Sequence, residues 1–116
     1  MSLRRGFFGL LLGTAVMGAA IGSAQAQCDT SFTLLNESGS TVNEFYFGSS
    51  NQQSWGVDQL GTNVLANGRT MNFRARSAGR NDFKVVWANG QTAEIMRIDI
   101  CSTSQIVATR RGIEAR

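Results

Sequence analysis

The residues best suited to bind a ligand lie in one short block, Trp55-Gly56-Val57-Asp58-Gln59-Leu60-Gly61. An indole ring can stack on a sugar or a peptide group, and a nearby carboxylate can fix the orientation of that ligand. The same residues could instead plug one end of the fold, with Trp55 and Leu60 buried and Asp58 bonded to backbone N–H groups. Both interpretations stay open, and the first makes Trp55 and Asp58 candidate ligand-binding residues.

Basic residues form a second candidate group further along the chain. Arg74 and Arg76 are two positions apart and therefore share one face of a strand, while Arg80 and Lys84 follow nearby. Such a group could meet an anionic partner, or it could be a solvated face with acidic neighbours across the sheet. Arg74 and Arg76 are therefore also candidate ligand-binding residues.

The composition is unfavourable for catalysis. The sequence contains no histidine, which removes the usual proton shuttle near neutral pH and the imidazole ligand of most zinc sites. No Gly-x-Ser-x-Gly nucleophile motif occurs, and the carboxylates are not spaced as a calcium-binding loop. We predict no catalytic residue, metal or cofactor. The alternative is a small hydrolase that uses Asp58 with Asp99 or Glu94.

Residues 1–26 predict an export signal. Arg4 and Arg5 precede an apolar run from Phe7 to about Ile21, and Ala24-Gln25-Ala26 has the small-x-small pattern of a cleavage site. The run is short for a bilayer-spanning helix, so no stable membrane span is expected after processing. The arginine pair fits a twin-arginine-like signal or a general secretion signal. Either route predicts a periplasmic or secreted bacterial protein.

The two cysteines, Cys28 and Cys101, allow a single pairing, and export would place them where disulfides persist. We therefore predict a structural disulfide. Without Arg4 and Arg5 the 11 basic residues fall to nine against eight acidic residues, a net charge of +1. That charge is too small to indicate a nucleic-acid partner.

Residues 27–116 are predicted to form a single domain, an all-β antiparallel sandwich of about six strands. Short runs rich in β-branched and aromatic residues alternate with Gly, Asn and Ser. The six predicted strands are Ser31–Leu35, Thr41–Phe47, Arg69–Arg76, Asp82–Ala88, Thr92–Ile100 and Gln105–Thr109.

Details within that pattern give further expectations. Asn89-Gly90 predicts a tight hairpin turn, and Ser54 could begin a short helical turn that stops at Gly61. The alternation places Phe45 and Phe47 on one face of the second strand, and Phe83, Val85 and Trp87 on the inward face of the fourth. In the fifth strand it places Met96 on the same face as Ile98. The polar tail from position 110 to position 116 is expected to fray.

Several of these residues also carry a resemblance. Phe32-x-Leu34-x-Asn36, Gly39, Leu65-x-x-Gly68 and Asp99-x-Cys101 flank the distinctive block Trp55-Gly56-x-Asp58-x-Leu60-Gly61. This arrangement resembles a group of small exported bacterial proteins of unassigned function, many with twin-arginine-type signals. The resemblance implies a β-sandwich and export, and it implies no activity.

Together these observations predict an exported, non-catalytic β-sandwich protein with a binding or structural role in the bacterial envelope. Its partner would be an unknown envelope protein or a small ligand. Besides the hydrolase, a structural subunit of a homo-oligomer, built by pairing open sheet edges, is the other alternative.

Overall fold

The computed structural model describes residues 28–116, and the predicted export signal lies outside these described residues. The described part of the chain contains seven strands and one short 3-10 turn at Ile100–Ser102. The strands are β1 (Ser31–Asn36), β2 (Val42–Ser49), β3 (Thr70–Arg74), β4 (Arg80–Trp87), β5 (Thr92–Asp99), β6 (Gln105–Thr109) and β7 (Gly112–Ala115).

The strands form two sheets, with the order β3-β1-β6-β7 in one and β2-β4-β5 in the other. A phenylalanine cluster fills the space between them, and the alternation of inward residues was predicted correctly for β2 and β4. The cluster comprises Phe32, Phe45, Phe47, Phe73 and Phe83. The prediction of an all-β sandwich is therefore confirmed. One pair, β1 with β6, is parallel, whereas the other strand pairs in the described residues are antiparallel.

The C-terminal tail does not fray, contrary to expectation. Residues Gly112–Ala115 form β7, which pairs with β6, and backbone bonds between Arg116 and Gln105 continue the pairing. Ile113 and Ala115 pack against the core, which the polar overall composition of the tail concealed. The backbone pairing and these two half-buried apolar residues at alternate positions together hold the short strand.

A bulge in β5 changes which side chains point inward. Asn81 pairs with Ile98 and Phe83 pairs with Ile95, so Met96 and Arg97 together oppose a single residue of β4. Arg97 adopts a φ of 56°, and Met96 is 49% exposed. The expectation that Met96 shares the inward face of Ile98 is wrong, because one extra residue reverses the alternation.

The Asn89-Gly90 hairpin joins β4 to β5 as predicted, with a different turn. Only Gly90 has a positive φ, at 87°. The Gly90 N–H donates to the Trp87 carbonyl, and the Trp87 N–H donates to the Gln91 carbonyl. This is a three-residue loop with a glycine bulge rather than the two-residue turn that needs positive φ at both positions.

The connection between β2 and β3 covers the free edge of β2. Val42 exchanges both backbone hydrogen bonds with Leu65, and the Phe45 carbonyl accepts from the Gln59 N–H. These bonds satisfy edge groups that would otherwise face solvent or another chain. The expected helical turn from Ser54 to Gly61 does not form, because the chain here follows the strand edge.

The predicted disulfide is present between Cys28 and Cys101, whose Cα atoms are 5.4 Å apart. It ties the start of the described chain to the 3-10 turn that follows β5. The Asp99 carboxylate accepts from the Cys101 N–H and so orders this turn. A disulfide is compatible with a periplasmic or extracellular protein.

Candidate functional site

The candidate site lies at one end of the sandwich, where β2 and β3 stop and β4 begins. The chain leaves β2 at Ser49 and curves back toward the edge of that strand, carrying Trp55 with it. Two cavities flank Trp55, and both are also lined by Gly48, Ser49 and Gln52. A Cβ at Gly48 would collide with the side-chain amide of Gln52, so glycine lets this glutamine sit between the two cavities.

Asp58 anchors the segment that carries Trp55. Its Oδ1 accepts hydrogen bonds from the Phe45 N–H and the Leu60 N–H, both at 2.9 Å. Leu60 is buried in the core beneath this turn. Asp58 lines neither cavity. The arrangement matches the plug that the sequence suggested for Asp58 and Leu60, whereas Trp55 remains partly exposed.

The first cavity, which we call the arginine cleft, has a volume of about 220 Å³. Arg74 reaches it from the end of β3, and Arg76 reaches it from the connection to β4. Trp55, Phe47, Gln59 and Asn81 also line it. Within residues 28–116, neither arginine lies within 4.0 Å of a carboxylate oxygen. Three of the four predicted ligand-binding residues therefore share one cavity.

The second cavity, the carboxylate cleft, has a volume of about 180 Å³ and is lined by Trp55, Asp82, Glu94 and Met96. Asp82 is already engaged, because its Oδ1 accepts from the Ser50 hydroxyl at 2.7 Å and from the Arg97 N–H at 2.8 Å. This carboxylate holds the bulge of β5 in place. The opposite charges of the two clefts mean that one ligand would not suit both.

Lys84 lies close to two aromatic rings, those of Trp55 and Tyr46. Its Nζ lies 5.9 Å from the centre of the Trp55 ring and 5.8 Å from the centre of the Tyr46 ring. Both distances suit a cation–π contact. The Tyr46 hydroxyl donates to the Glu44 carboxylate, and this bond raises the pKa of Tyr46 to about 12. Trp55 therefore rests on an ordered polar surface.

Asn81 is the site residue that the sequence analysis missed. It is fully buried, and its Nδ2 donates to the carbonyls of Ser77 at 3.1 Å and Gly79 at 3.2 Å. Its Oδ1 has no hydrogen-bond partner among the described residues. Such an unpaired buried acceptor costs about 1–3 kcal/mol. No local signal marked this asparagine, since its burial depends on the turn that folds over it.

Arg74 also has an acidic neighbour. The pKa of Asp29 lies below its usual value, chiefly because the Ser31 N–H donates to the carboxylate and to a smaller extent because of the Arg74 charge. Asp29 is exposed, so it offers the guanidinium only a weak, solvent-screened attraction.

The carboxylates proposed for hydrolysis occupy separate positions. Asp58 and Asp99 each accept a backbone N–H and line neither cleft beside Trp55, whereas Glu94 lines the carboxylate cleft. Among residues 28–116, no group of three or more acidic or cysteine side chains is arranged to hold a metal ion. The described part of the chain also contains no helix long and apolar enough to cross a membrane.

Comparisons of the chain with protein-family models, with curated proteins and with solved structures give no match.

Proposed function

We propose that this chain is an exported, non-catalytic binding protein of the bacterial envelope that holds a small ligand in the arginine cleft. The observation that carries this proposal is the convergence of Trp55, Arg74 and Arg76 on one cavity, although they come from separate segments. An aromatic ring beside a few polar groups in a concave site is the usual composition of a small-molecule site. The Cys28–Cys101 disulfide supports an oxidising compartment.

Free hydrogen-bonding groups support a binding role for the cleft. Within the described residues, the Trp55 indole N–H has no protein acceptor, and Asn81 Oδ1 has no donor. A ligand acceptor would replace water at the Trp55 indole N–H. A ligand donor that reaches Asn81 Oδ1 would remove the cost of leaving this buried acceptor unpaired. A purely structural plug would bury Trp55 and pair these groups internally.

Trp55→Ala tests the proposal most directly. The oxidised protein would be immobilised and exposed to a soluble envelope extract, and retained small molecules would be identified by mass spectrometry. We expect the wild-type protein to retain a ligand and Trp55→Ala to lose it, with an almost unchanged thermal midpoint. Val64→Ala is the matched control, because Val64 is 54% exposed in the same connection and lines neither cleft.

The opposite result would contradict this function. If Trp55→Ala lowers the thermal midpoint strongly and leaves retention unchanged, Trp55 acts as a plug. Export is tested separately by mass spectrometry of the protein purified from the producing bacterium. We expect a chain that starts at Gln27 and lacks two hydrogens, whereas an intact cytosolic precursor with free thiols would rule out export.

A further inference from the structure

We propose that the arginine cleft recognises an acidic monosaccharide unit, a sugar ring that carries a carboxylate. This inference rests on the proposed binding function and names the ligand class. The cleft combines three features that one such ring can satisfy together. Among residues 28–116, these features are two arginines with no carboxylate oxygen within 4.0 Å, an indole and a buried acceptor that has no donor.

The two arginines select an anion. Both line the cleft, and within residues 28–116 neither lies within 4.0 Å of a carboxylate oxygen. A guanidinium presents its N–H groups in a plane that matches the two oxygens of a carboxylate. A cationic ligand would be repelled here. Within residues 28–116, a neutral ligand would leave Arg76 without a carboxylate partner and Arg74 with only the weak attraction of the exposed Asp29.

Trp55 selects a ring. Its indole lines the cleft beside Phe47, whereas Lys84 lies 5.9 Å from the ring centre. The C–H groups on one face of a pyranose pack well against an indole, which inorganic anions cannot do. At about 220 Å³ the cleft is smaller than a typical drug-sized pocket, so it suits a single sugar unit.

Asn81 selects a hydroxyl. Its Nδ2 is held by the carbonyls of Ser77 and Gly79, so the amide orientation is fixed and Oδ1 is left as an acceptor. A carboxylate or sulfate has no proton to give to this atom, whereas a sugar hydroxyl does. A ligand that satisfies the cleft in full therefore carries both an anionic group and a hydrogen-bond donor, and an acidic sugar supplies both.

The experiment is calorimetric titration of the oxidised protein with methyl glucuronoside and with methyl glucoside. These two sugars differ only at C6, which is a carboxylate in the first and a neutral hydroxymethyl group in the second. We expect the glucuronoside to bind about tenfold tighter or more, and we expect added salt to weaken it. Inorganic sulfate, which offers charge without a ring, should bind more weakly than the glucuronoside and should not respond to Trp55→Ala.

Two arginine variants locate the anion contact. Arg74→Gln and Arg76→Gln should each weaken glucuronoside binding about tenfold and leave glucoside binding unchanged. Arg111→Gln is the matched control, because it removes the same charge from an exposed residue outside the cleft and should leave binding unchanged. Urea unfolding of each variant verifies that it is folded.

Deoxy analogues of the glucuronoside test the hydroxyl contact without changing the protein. At least one analogue should bind about tenfold more weakly, and this difference should disappear in Asn81→Leu. If Asn81→Leu does not fold, the analogue series alone decides, since a series in which every hydroxyl is dispensable would overturn the assignment.

Other outcomes separate this inference from the function on which it rests. Equal affinity for the two methyl glycosides, sulfate binding as tight as the glucuronoside, or no binding of either sugar overturns the acidic-sugar assignment. If a different ligand is still retained from the envelope extract and is lost in Trp55→Ala, the binding function stands. If nothing is retained, both proposals fail.

Discussion

Each end of the sandwich contains an asparagine and a tryptophan, and the two pairs differ in whether their polar groups are hydrogen-bonded within the protein. At the closed end, Asn36 and Trp87 are buried, and at the open end Asn81 is buried beside the half-exposed Trp55. Asn81 and Trp87 lie near opposite ends of the same strand, β4. Because the residue types are the same, any difference in hydrogen bonding between the two pairs comes from their surroundings.

At the closed end every side-chain polar group of the pair is bonded. Asn36 Nδ2 donates to the carbonyls of Ser40 at 2.7 Å and Leu65 at 2.9 Å, and Asn36 Oδ1 accepts from both the N–H and the hydroxyl of Ser38. The Trp87 indole N–H donates to Ser38 Oγ at 2.8 Å. A buried network without orphan groups stabilises and specifies this end.

At the open end the corresponding groups have no protein partner in the described residues. Asn81 Oδ1 and the Trp55 indole N–H are both unbonded, and two arginines without ion pairs lie beside them. The two Asn–Trp pairs therefore differ in hydrogen bonding. The polar groups of the first pair are all bonded within the protein, whereas the second pair has groups without a protein partner in the described residues.

The largest expected effect concerns the disulfide that secures the open end. Replacing both cysteines, Cys28→Ala with Cys101→Ala, should lower the free energy of unfolding by about 4 kcal/mol, because the link closes a long loop in the unfolded chain. Urea unfolding measures this loss. Dithiothreitol should destabilise the wild-type protein similarly and leave the double variant unchanged. A loss below about 1 kcal/mol would show that the open end is secured by packing instead.

The next largest effect is the difference in unfolding free energy between replacing Asn36 and replacing Asn81. Asn36→Ala removes four hydrogen bonds from a buried network and should cost about 3 kcal/mol or more in unfolding free energy. Asn81→Ala removes two donors but also an unsatisfied acceptor, so it should cost about 1 kcal/mol. Exposed Asn63→Ala is the control, with a change within about 0.5 kcal/mol. Equal costs at positions 36 and 81 would remove the distinction between the ends.

Replacing the two tryptophans should give a smaller difference in unfolding free energy. Trp87→Phe leaves the Ser38 hydroxyl without its indole donor and should cost about 1–2 kcal/mol in unfolding free energy. Within residues 28–116, Trp55→Phe breaks no protein hydrogen bond, and it should cost less than about 0.5 kcal/mol in unfolding free energy. Urea unfolding measures both changes. A larger loss at position 55 than at position 87 would mean that Trp55 is the structural residue.

The smallest effect is the titration of Tyr46, which lies beside Lys84 between the two ends. Its pKa is raised to about 12 because its hydroxyl donates to Glu44, so the folded protein holds this proton more tightly than the unfolded chain. The resulting stabilisation is fully present below the unfolded pKa of about 10 and is lost as pH rises through 12.

This titration is measured by the ultraviolet absorbance of the phenolate, and the chain has a single tyrosine. Glu44→Gln should lower the midpoint toward that of a free tyrosine. An unchanged midpoint would show that the Tyr46 hydroxyl does not donate to Glu44 in solution.

Much of the candidate site could be anticipated from residue types. Trp55, Arg74 and Arg76 were predicted because aromatic and basic side chains in turns and on wet strand faces suit ligands, and the structure places all three on one cleft. Asp58 was predicted as either a ligand contact or a backbone anchor, and it forms the anchor's hydrogen bonds. Asn81 could not be found, because an asparagine is usually exposed unless a particular turn buries it.

Features that depend on near neighbours in the chain, or on the number of residues of one type, could be predicted without the structure. Period-two alternation placed the inward residues of β2 and β4, Asn89-Gly90 marked a hairpin, and two cysteines allowed one disulfide. The tertiary structure alone decided the parallel pairing of β1 with β6, the added strand β7 and the bulge that exposes Met96. It also decided which buried asparagine was left unsatisfied. These outcomes depend on contacts between residues distant in sequence, and local pattern carries no information about which distant groups will meet.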